Sequence, residues 1–124
     1  MKLSLDSVII YTFDVNLLRD FYVNHFNLSI LEEIKDEWVL LRAGHCSIGL
    51  HRVGEAYRNS NIQTQSETNI KLVFETTEDL SALREQLLSK GVAMRNIKTF
   101  DNYPFWVCDG VDPEGNVFQL KKAK

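Results

Sequence analysis

The chain has 124 residues, with 14 basic and 17 acidic side chains and a formal net charge of −3. Hydrophobic residues make up 44% and charged residues 25%, which is typical of a globular domain and excludes a disordered or collagen-like chain. This charge balance gives no electrostatic basis for binding nucleic acid, and no apolar run approaches the roughly 20 residues of a membrane span. We therefore expect neither nucleic acid nor a membrane as partner. Cys46 and Cys108 lie far apart in apolar segments, which predicts reduced thiols in a cytoplasmic protein.

The first half of the chain is predicted to form a strand, a helix and three further strands. Residues 5–13 are rich in β-branched and aromatic side chains, which indicates a strand. Asp14 is a candidate N-cap for an amphipathic helix over 15–26. Three short apolar segments separated by turn residues then predict strands over 28–33, 37–42 and 45–51.

The same order of elements returns after a polar connection over 53–68. Residues 69–75 predict a strand, and Thr76 with Asp79 has the spacing of a capping box ahead of a helix. Leucines at helical spacing give that helix a buried face, and Gly91 lies at the position of a C-terminal cap. Strand candidates follow over 92–97, 104–110 and 116–122.

The repeated order predicts two βαβββ modules, at about 3–52 and 69–122, within one domain spanning 1–124. A single module of this size would have a small core and an open sheet edge. Two modules together would remedy both deficiencies, so we expect one domain in which the modules enclose a concave surface suited to a ligand.

The doubled module and the segment Asp112–Asn116, with the sequence DPEGN, resemble the vicinal oxygen chelate superfamily. That superfamily includes glyoxalases, extradiol dioxygenases and drug-binding proteins of the bleomycin-resistance type. Pro113 and Gly115 suit a chain reversal, and the pair Phe21–Tyr22 resembles the family's first helix. The resemblance implies an α+β fold of two βαβββ modules, forming an incomplete mixed β-barrel with a helix outside each half. It also implies a homodimer.

Metal-dependent members of that superfamily hold the ion with four ligands that face the cavity. Strand alternation carries those positions to Ser7, Gly49, Lys71 and Gln119 of this sequence. Glycine offers no ligand atom, and the lysine ammonium has no lone pair and would repel a cation. We therefore expect no metal and no other cofactor, and we predict no catalytic residue.

Several other side chains are candidates for contact with a small organic molecule. Lys71, Glu75 and Gln119 would give a polar floor, with Glu75 the nearest partner for Lys71 in sequence. The alternative is that Lys71 and Glu75 only form an ion pair with each other and contact no ligand. Aromatic rings would line a pocket for an apolar or planar ligand. The full set of candidates is Tyr11, Trp38, His51, Lys71, Glu75, Tyr103, Trp106 and Gln119.

Two functions follow from different interpretations of the metal positions. The first is a metal-free protein that sequesters an organic ligand in the cavity between the modules. The alternative is a metal-dependent lyase, isomerase or dioxygenase whose ligands lie at other positions. A regulatory module with an empty cavity is a third interpretation, which the sequence hardly separates from the first.

Overall fold

The computed structural model describes residues 2–55 and 70–124. The chain divides into two compact units, Met1–Gln63 and Thr64–Lys124. Each unit contains one of the predicted modules. Most of the predicted polar connection, residues 56–68, lies outside the described residues.

In the part of the chain that the structure describes, the first unit has a four-stranded mixed sheet packed against a twelve-residue helix. Its sheet order is β1-β4-β3-β2, in which β1 and β4 are parallel and the other neighbours are antiparallel. The elements are β1 (Ser7–Thr12), α1 (Val15–Phe26), β2 (Ser29–Ile34), β3 (Trp38–Ala43) and β4 (Cys46–Arg52).

Local signals at both ends fix the bounds of α1, which are those predicted. The Asp14 side chain accepts a hydrogen bond from the Leu17 backbone amide at 3.1 Å, as an N-cap does. Asn27 ends the helix in the left-handed conformation, with φ 56°, and its amide donates to carbonyls of the last turn. The helix buries four apolar side chains, Val15, Leu18, Phe21 and Tyr22.

Strand alternation gives the first sheet two different faces. Ile48 and Leu50 are buried on the face that contacts α1. Ile9 and Tyr11 are exposed, and the register pairs them with Gly49 and His51 on the opposite face. The facing predicted for β1 and β4 is therefore the one observed.

The second unit repeats this arrangement with the sheet order β5-β8-β7-β6. Strands β5 and β8 are parallel, and the remaining pairs are antiparallel. The elements are β5 (Leu72–Glu75), α2 (Leu80–Ser89), β6 (Ala93–Met94), β7 (Phe105–Val111) and β8 (Val117–Ala123). The predicted α+β class and the doubled βαβββ order are confirmed, and neither four-stranded sheet closes into a barrel on its own.

Two details of the second unit differ from the sequence prediction. Asp79 is itself the N-cap of α2 and accepts from the Ala82 amide at 2.9 Å. Thr76 accepts from the Glu78 amide instead, so the predicted capping box is wrong. Strand β6 has only two residues, and beyond it the Arg95 amide donates to the Asp109 carbonyl while the Arg95 carbonyl accepts from the Arg84 side chain, both at 2.8 Å.

The DPEGN segment forms the turn between β7 and β8. The buried carboxylate of Asp112 accepts from the backbone amides of Glu114 and Asn116, both at 2.9 Å. Gly115 has φ 86°, which side-chain-bearing residues rarely adopt. These contacts set the register of the β7–β8 hairpin, which places Asp109 opposite Gln119.

Candidate functional site

The face of the first sheet away from α1 carries three aromatic side chains across neighbouring strands. The register pairs Tyr11 with His51, and His51 with Trp38. The ring centroids of Tyr11 and His51 are 5.5 Å apart, and those of His51 and Trp38 are 5.8 Å apart. Tyr11 is 67% exposed, so this row presents ring surface to a ligand. We refer to these three residues as the aromatic row.

The indole of Trp38 lies over Gly49, one of the four positions predicted for a metal ligand. A Cβ atom on residue 49 would lie 2.8 Å from Cζ3 of Trp38, closer than side chains tolerate. Trp38 Nε1 also donates to Glu32 Oε2 at 3.0 Å, which fixes the ring orientation. Gly49 thus makes room for the tryptophan ring.

His51 is oriented by a hydrogen bond to its own strand. Its Nδ1 atom lies 2.7 Å from the Arg52 carbonyl oxygen. Because a carbonyl oxygen only accepts, Nδ1 carries the hydrogen of this contact. This hydrogen bond holds the His51 ring in its place within the aromatic row.

The second unit holds a polar cluster on the face of its sheet away from α2. Asp109 is buried, and Lys71 Nζ lies 2.9 Å from its Oδ2 atom. Gln119 Nε2 donates to Oδ1, also at 2.9 Å. We refer to these residues as the Lys71–Asp109–Gln119 cluster. Glu75, the nearest candidate partner for Lys71 in sequence, is not the partner observed, because the Lys71 ammonium contacts Asp109.

Opposing effects act on the Asp109 carboxyl group. Burial by itself raises its pKa, but the hydrogen bonds from Lys71 and Gln119 favour the charged form. The positive charges of Lys71 and Lys98 act in the same direction. Together these contacts hold the pKa of Asp109 below its ordinary value, so it is a fixed anion at neutral pH.

Sequence reasoning placed Lys71 and Gln119 on one face but missed Asp109. The available signal was a carboxylate within the apolar segment WVCDGV. A buried carboxylate requires a partner, and alternation from Val107 places Asp109 away from Cys108. The hairpin register identifies Gln119 as a partner, and the parallel pairing of β5 with β8 brings Lys71 beside it.

The remaining predicted residues are divided between the two faces of the second sheet. Phe105 shares the face of Asp109 by alternation, and Tyr103 lies beside it with ring centroids 5.7 Å apart. Trp106 shares the opposite face with Cys108, and Lys124 Nζ lies 5.3 Å from the centroid of its ring. Trp106 is therefore not brought together with the polar cluster.

The chemistry of the expected metal positions does not fit a divalent cation. In the first unit these positions are Ser7 and Gly49, and the glycine is covered by Trp38. In the second unit they are Lys71, an ammonium, and Gln119, whose amide group is bound to Asp109. Within residues 2–55 and 70–124, no group of three or more His, Cys, Asp or Glu side chains is arranged to hold a metal ion.

Two modules of this topology, each with one helix against a mixed sheet, define the class of paired βαβββ proteins. The model for the Glyoxalase/Bleomycin resistance protein/Dioxygenase superfamily matches residues 4–120, and the chain belongs to this superfamily. None of the curated protein sequences compared with the chain matches it.

Solved structures with the same fold include proteins with different named activities. A lactoylglutathione lyase from Agrobacterium tumefaciens superposes with a TM-score of 0.74 at 15% identity, covering 96% of this chain and 92% of its own. A fosfomycin resistance protein from Listeria monocytogenes gives 0.71 at 16% identity, covering 100% and 94%. An antibiotic-binding protein from a Streptomyces species gives 0.74 at 20% identity, covering 100% and 99%. These similarities show the fold.

A helix that crosses a membrane needs about 20 predominantly apolar residues. Neither α1 nor α2, the long helices of the described residues, combines the length and hydropathy that crossing a membrane requires.

Proposed function

We propose that the chain is a metal-free binding protein for a small organic molecule with a planar aromatic part. The observation that carries this proposal is the aromatic row, in which Trp38 covers Gly49, the position that corresponds to a ligand in metal-dependent members of the superfamily. Stacked and edge-on ring contacts contribute about 0.5–1.5 kcal/mol each beyond the burial of apolar area. The row therefore offers the kind of surface that holds a flat, apolar ligand.

The proposed contacts come from both units, each considered separately. In the first unit they are Tyr11, Trp38 and His51. In the second they are Lys71, Glu75, Tyr103 and Gln119. Trp106 is omitted from the set because it lies on the α2 side of its sheet.

Related folds support this choice of function without establishing it. One structural neighbour is named as an antibiotic-binding protein and another as a fosfomycin resistance protein. We propose for this chain a small organic ligand and a role in sequestering it. The alternative of a metal-dependent lyase, isomerase or dioxygenase receives no support from Ser7, Gly49, Lys71 and Gln119.

The proposal also includes a cytoplasmic location and a homodimeric state. The location rests on two free cysteines, Cys46 and Cys108, of which the second is buried. Burial raises the pKa of the Cys108 thiol, and the charge of Asp109 acts in the same direction against that of Arg84. Cys108 is therefore a core thiol and not a reactive group. The dimer rests on the resemblance to the superfamily.

A fluorescent aromatic probe tests the proposed function directly. N-phenyl-1-naphthylamine is uncharged and emits strongly when it leaves water, so its titration reports an apolar aromatic site. We expect saturable binding at one site per chain, weakened about tenfold in Trp38→Leu, which corresponds to about 1.4 kcal/mol. Trp106→Leu is the matched control and should bind the probe as the parent does. Absence of saturable binding, or equal affinities for Trp38→Leu and the parent, would reject the proposal.

A further inference from the structure

We propose that the Lys71–Asp109–Gln119 cluster is a binding site for an anionic group, such as the carboxylate or sulfonate of an organic acid. This inference rests on the proposed function and narrows its ligand class to aromatic acids. It follows from the way that the cluster holds its lysine and from the excess of positive charge around it.

The geometry holds the Lys71 ammonium while leaving part of it available. One of its three N–H donors is directed to Asp109, at 2.9 Å. The Lys71 side chain is 41% exposed, whereas the Asp109 side chain is only 4% exposed. The carboxylate is therefore the buried anchor, and the ammonium is the part of the cluster that a ligand can reach.

Gln119 completes the anchoring of the carboxylate. It donates to Oδ1 of Asp109, while Lys71 donates to Oδ2, so each carboxylate oxygen has its own donor. With both oxygens satisfied, the carboxylate is fixed in place and holds the ammonium in a constant position. A cation that is already positioned loses less conformational entropy when it binds an anion.

The charge around Asp109 exceeds what its own neutralisation requires. Arg95 Nη1 lies 3.9 Å from Oδ2, with a side chain that is 65% exposed, and the charge of Lys98 also acts on this carboxylate. Glu75 is the last residue of β5, and the register places it opposite Lys121 of β8. Lys71 and Arg95 therefore lie within 4 Å of one carboxylate oxygen, at 2.9 Å and 3.9 Å, and Lys98 adds to their positive charge, which favours a second anion.

An apolar surface lies next to the cluster for the rest of such a ligand. Val73 is paired in register with Gln119 and is 51% exposed. On the same face, Phe105 has Lys121 Nζ at 4.2 Å from its ring centroid. An organic acid could place its anionic group at Lys71 and its carbon frame along Val73.

The alternative role for the cluster is purely structural. A buried carboxylate requires a partner in any case, and Lys71 could be that partner and nothing more. A structural ion pair alone would stabilise the fold without discriminating between charged and neutral ligands. The discrimination between charged and neutral probes therefore separates the two roles.

Two probes that differ chiefly in one charged group test the inference. 8-Anilino-1-naphthalenesulfonate has the ring system of N-phenyl-1-naphthylamine with an added sulfonate. Both are titrated by emission into the parent and Lys71→Met. We expect the parent to bind the sulfonate more tightly than the neutral probe. In Lys71→Met the ratio of the two affinities should fall about tenfold to hundredfold, as for a lost hydrogen bond to a charged group.

Further variants protect this test against a folding defect. Lys71→Met leaves Asp109 without its ammonium, so the double variant Lys71→Met with Asp109→Asn removes both charges and keeps an acceptor for Gln119. It should show the same fall in the ratio. Lys90→Met removes a lysine at the end of α2 and should leave the ratio at the parent value.

The outcomes separate this inference from the proposed function. An unchanged affinity ratio in the double variant, with the neutral probe still bound by the parent, overturns the anion site and leaves the proposed function standing. Tighter binding of the neutral probe than of the sulfonate by the parent would likewise overturn the anion site and leave the proposed function standing. If the parent binds neither probe saturably, the proposed function fails and this inference fails with it.

Discussion

Trp38 and Gly49 are matched to each other across neighbouring strands. Gly49 is buried under an indole ring that Glu32 holds by a hydrogen bond. Gly49 therefore has two effects: it provides no metal ligand, and it leaves room for the ring of Trp38. The two effects have one physical cause, since a side chain at position 49 and the ring of Trp38 compete for the same volume.

Gly49→Ala should therefore destabilise the first unit. The added methyl group must displace the indole and its hydrogen bond to Glu32, and overpacking of this kind typically costs about 1–3 kcal/mol. Urea unfolding followed by circular dichroism measures the loss. The double variant Gly49→Ala with Trp38→Leu should recover part of it, because the smaller side chain leaves room. Equal stabilities of Gly49→Ala and the parent would show that the contact is not constrained.

Asp109 should make stability depend on pH in the acid range. Its pKa in the folded chain lies below the ordinary value of 3.8, so folding favours the ionised form. Its stabilising contribution is fully present above the unfolded pKa and is lost as the pH falls through the lower folded pKa. Below about pH 4 the parent should therefore lose stability relative to the double variant Lys71→Met with Asp109→Asn, which has no carboxylate at position 109. Urea midpoints at several pH values test this, and a difference that is constant from pH 7 to pH 3 would contradict it.

Among the elements, those with local signals were predictable from sequence. Helix α1 has the predicted bounds because Asp14 and the spacing of its apolar residues act within a few positions of the chain. Strands β7 and β8 likewise fall within one residue of their predicted bounds. The short β6 was not predictable, because the contacts of the residue that follows it involve Arg84 on the preceding helix and Asp109 on β7.

The polar cluster shows the same limit for the candidate site. Strand alternation correctly grouped Lys71 with Gln119, and both contact one carboxylate. Asp109 is 38 positions from Lys71 in the chain, so their pairing depends on sheet order and hairpin register. Local sequence patterns therefore favoured Glu75, which is close in sequence but has another neighbour in the sheet.

At the start of α2, the structure distinguishes between two possible caps. Asp79→Ala should remove the acceptor for the Ala82 amide and cost about 0.5–2 kcal/mol. Thr76→Ala removes only the bond to the Glu78 amide before the helix and should cost less. Thermal melts of the two variants compare them. A larger loss for Thr76→Ala would restore the capping-box interpretation.

At the scale of the whole molecule, the two units are expected to fold together. Each four-stranded sheet has two edge strands, β1 and β2 in one unit and β5 and β6 in the other. A unit of about 60 residues buries a smaller fraction of its surface than the whole chain does, which makes it marginal alone. Sheet edges exposed in an isolated half would also favour association.

Separate expression of residues 1–60 and 61–124 tests this expectation. Neither fragment should show a cooperative thermal transition as a monomer, whereas the full chain should unfold in a single transition. Calorimetry of all three samples makes the comparison. A sharp transition in either isolated fragment would mean that the units are independent domains.

The central claim is that this member of the superfamily binds its ligand without a metal. Elemental analysis of protein purified without chelators or a metal-affinity tag tests that claim most directly. The chemistry of Ser7, Gly49, Lys71 and Gln119 predicts zinc, iron, manganese and nickel at far below one equivalent per chain, before and after incubation with each ion and desalting. One equivalent of any of these metals retained per chain, and lost in Gln119→Ala, would contradict the account.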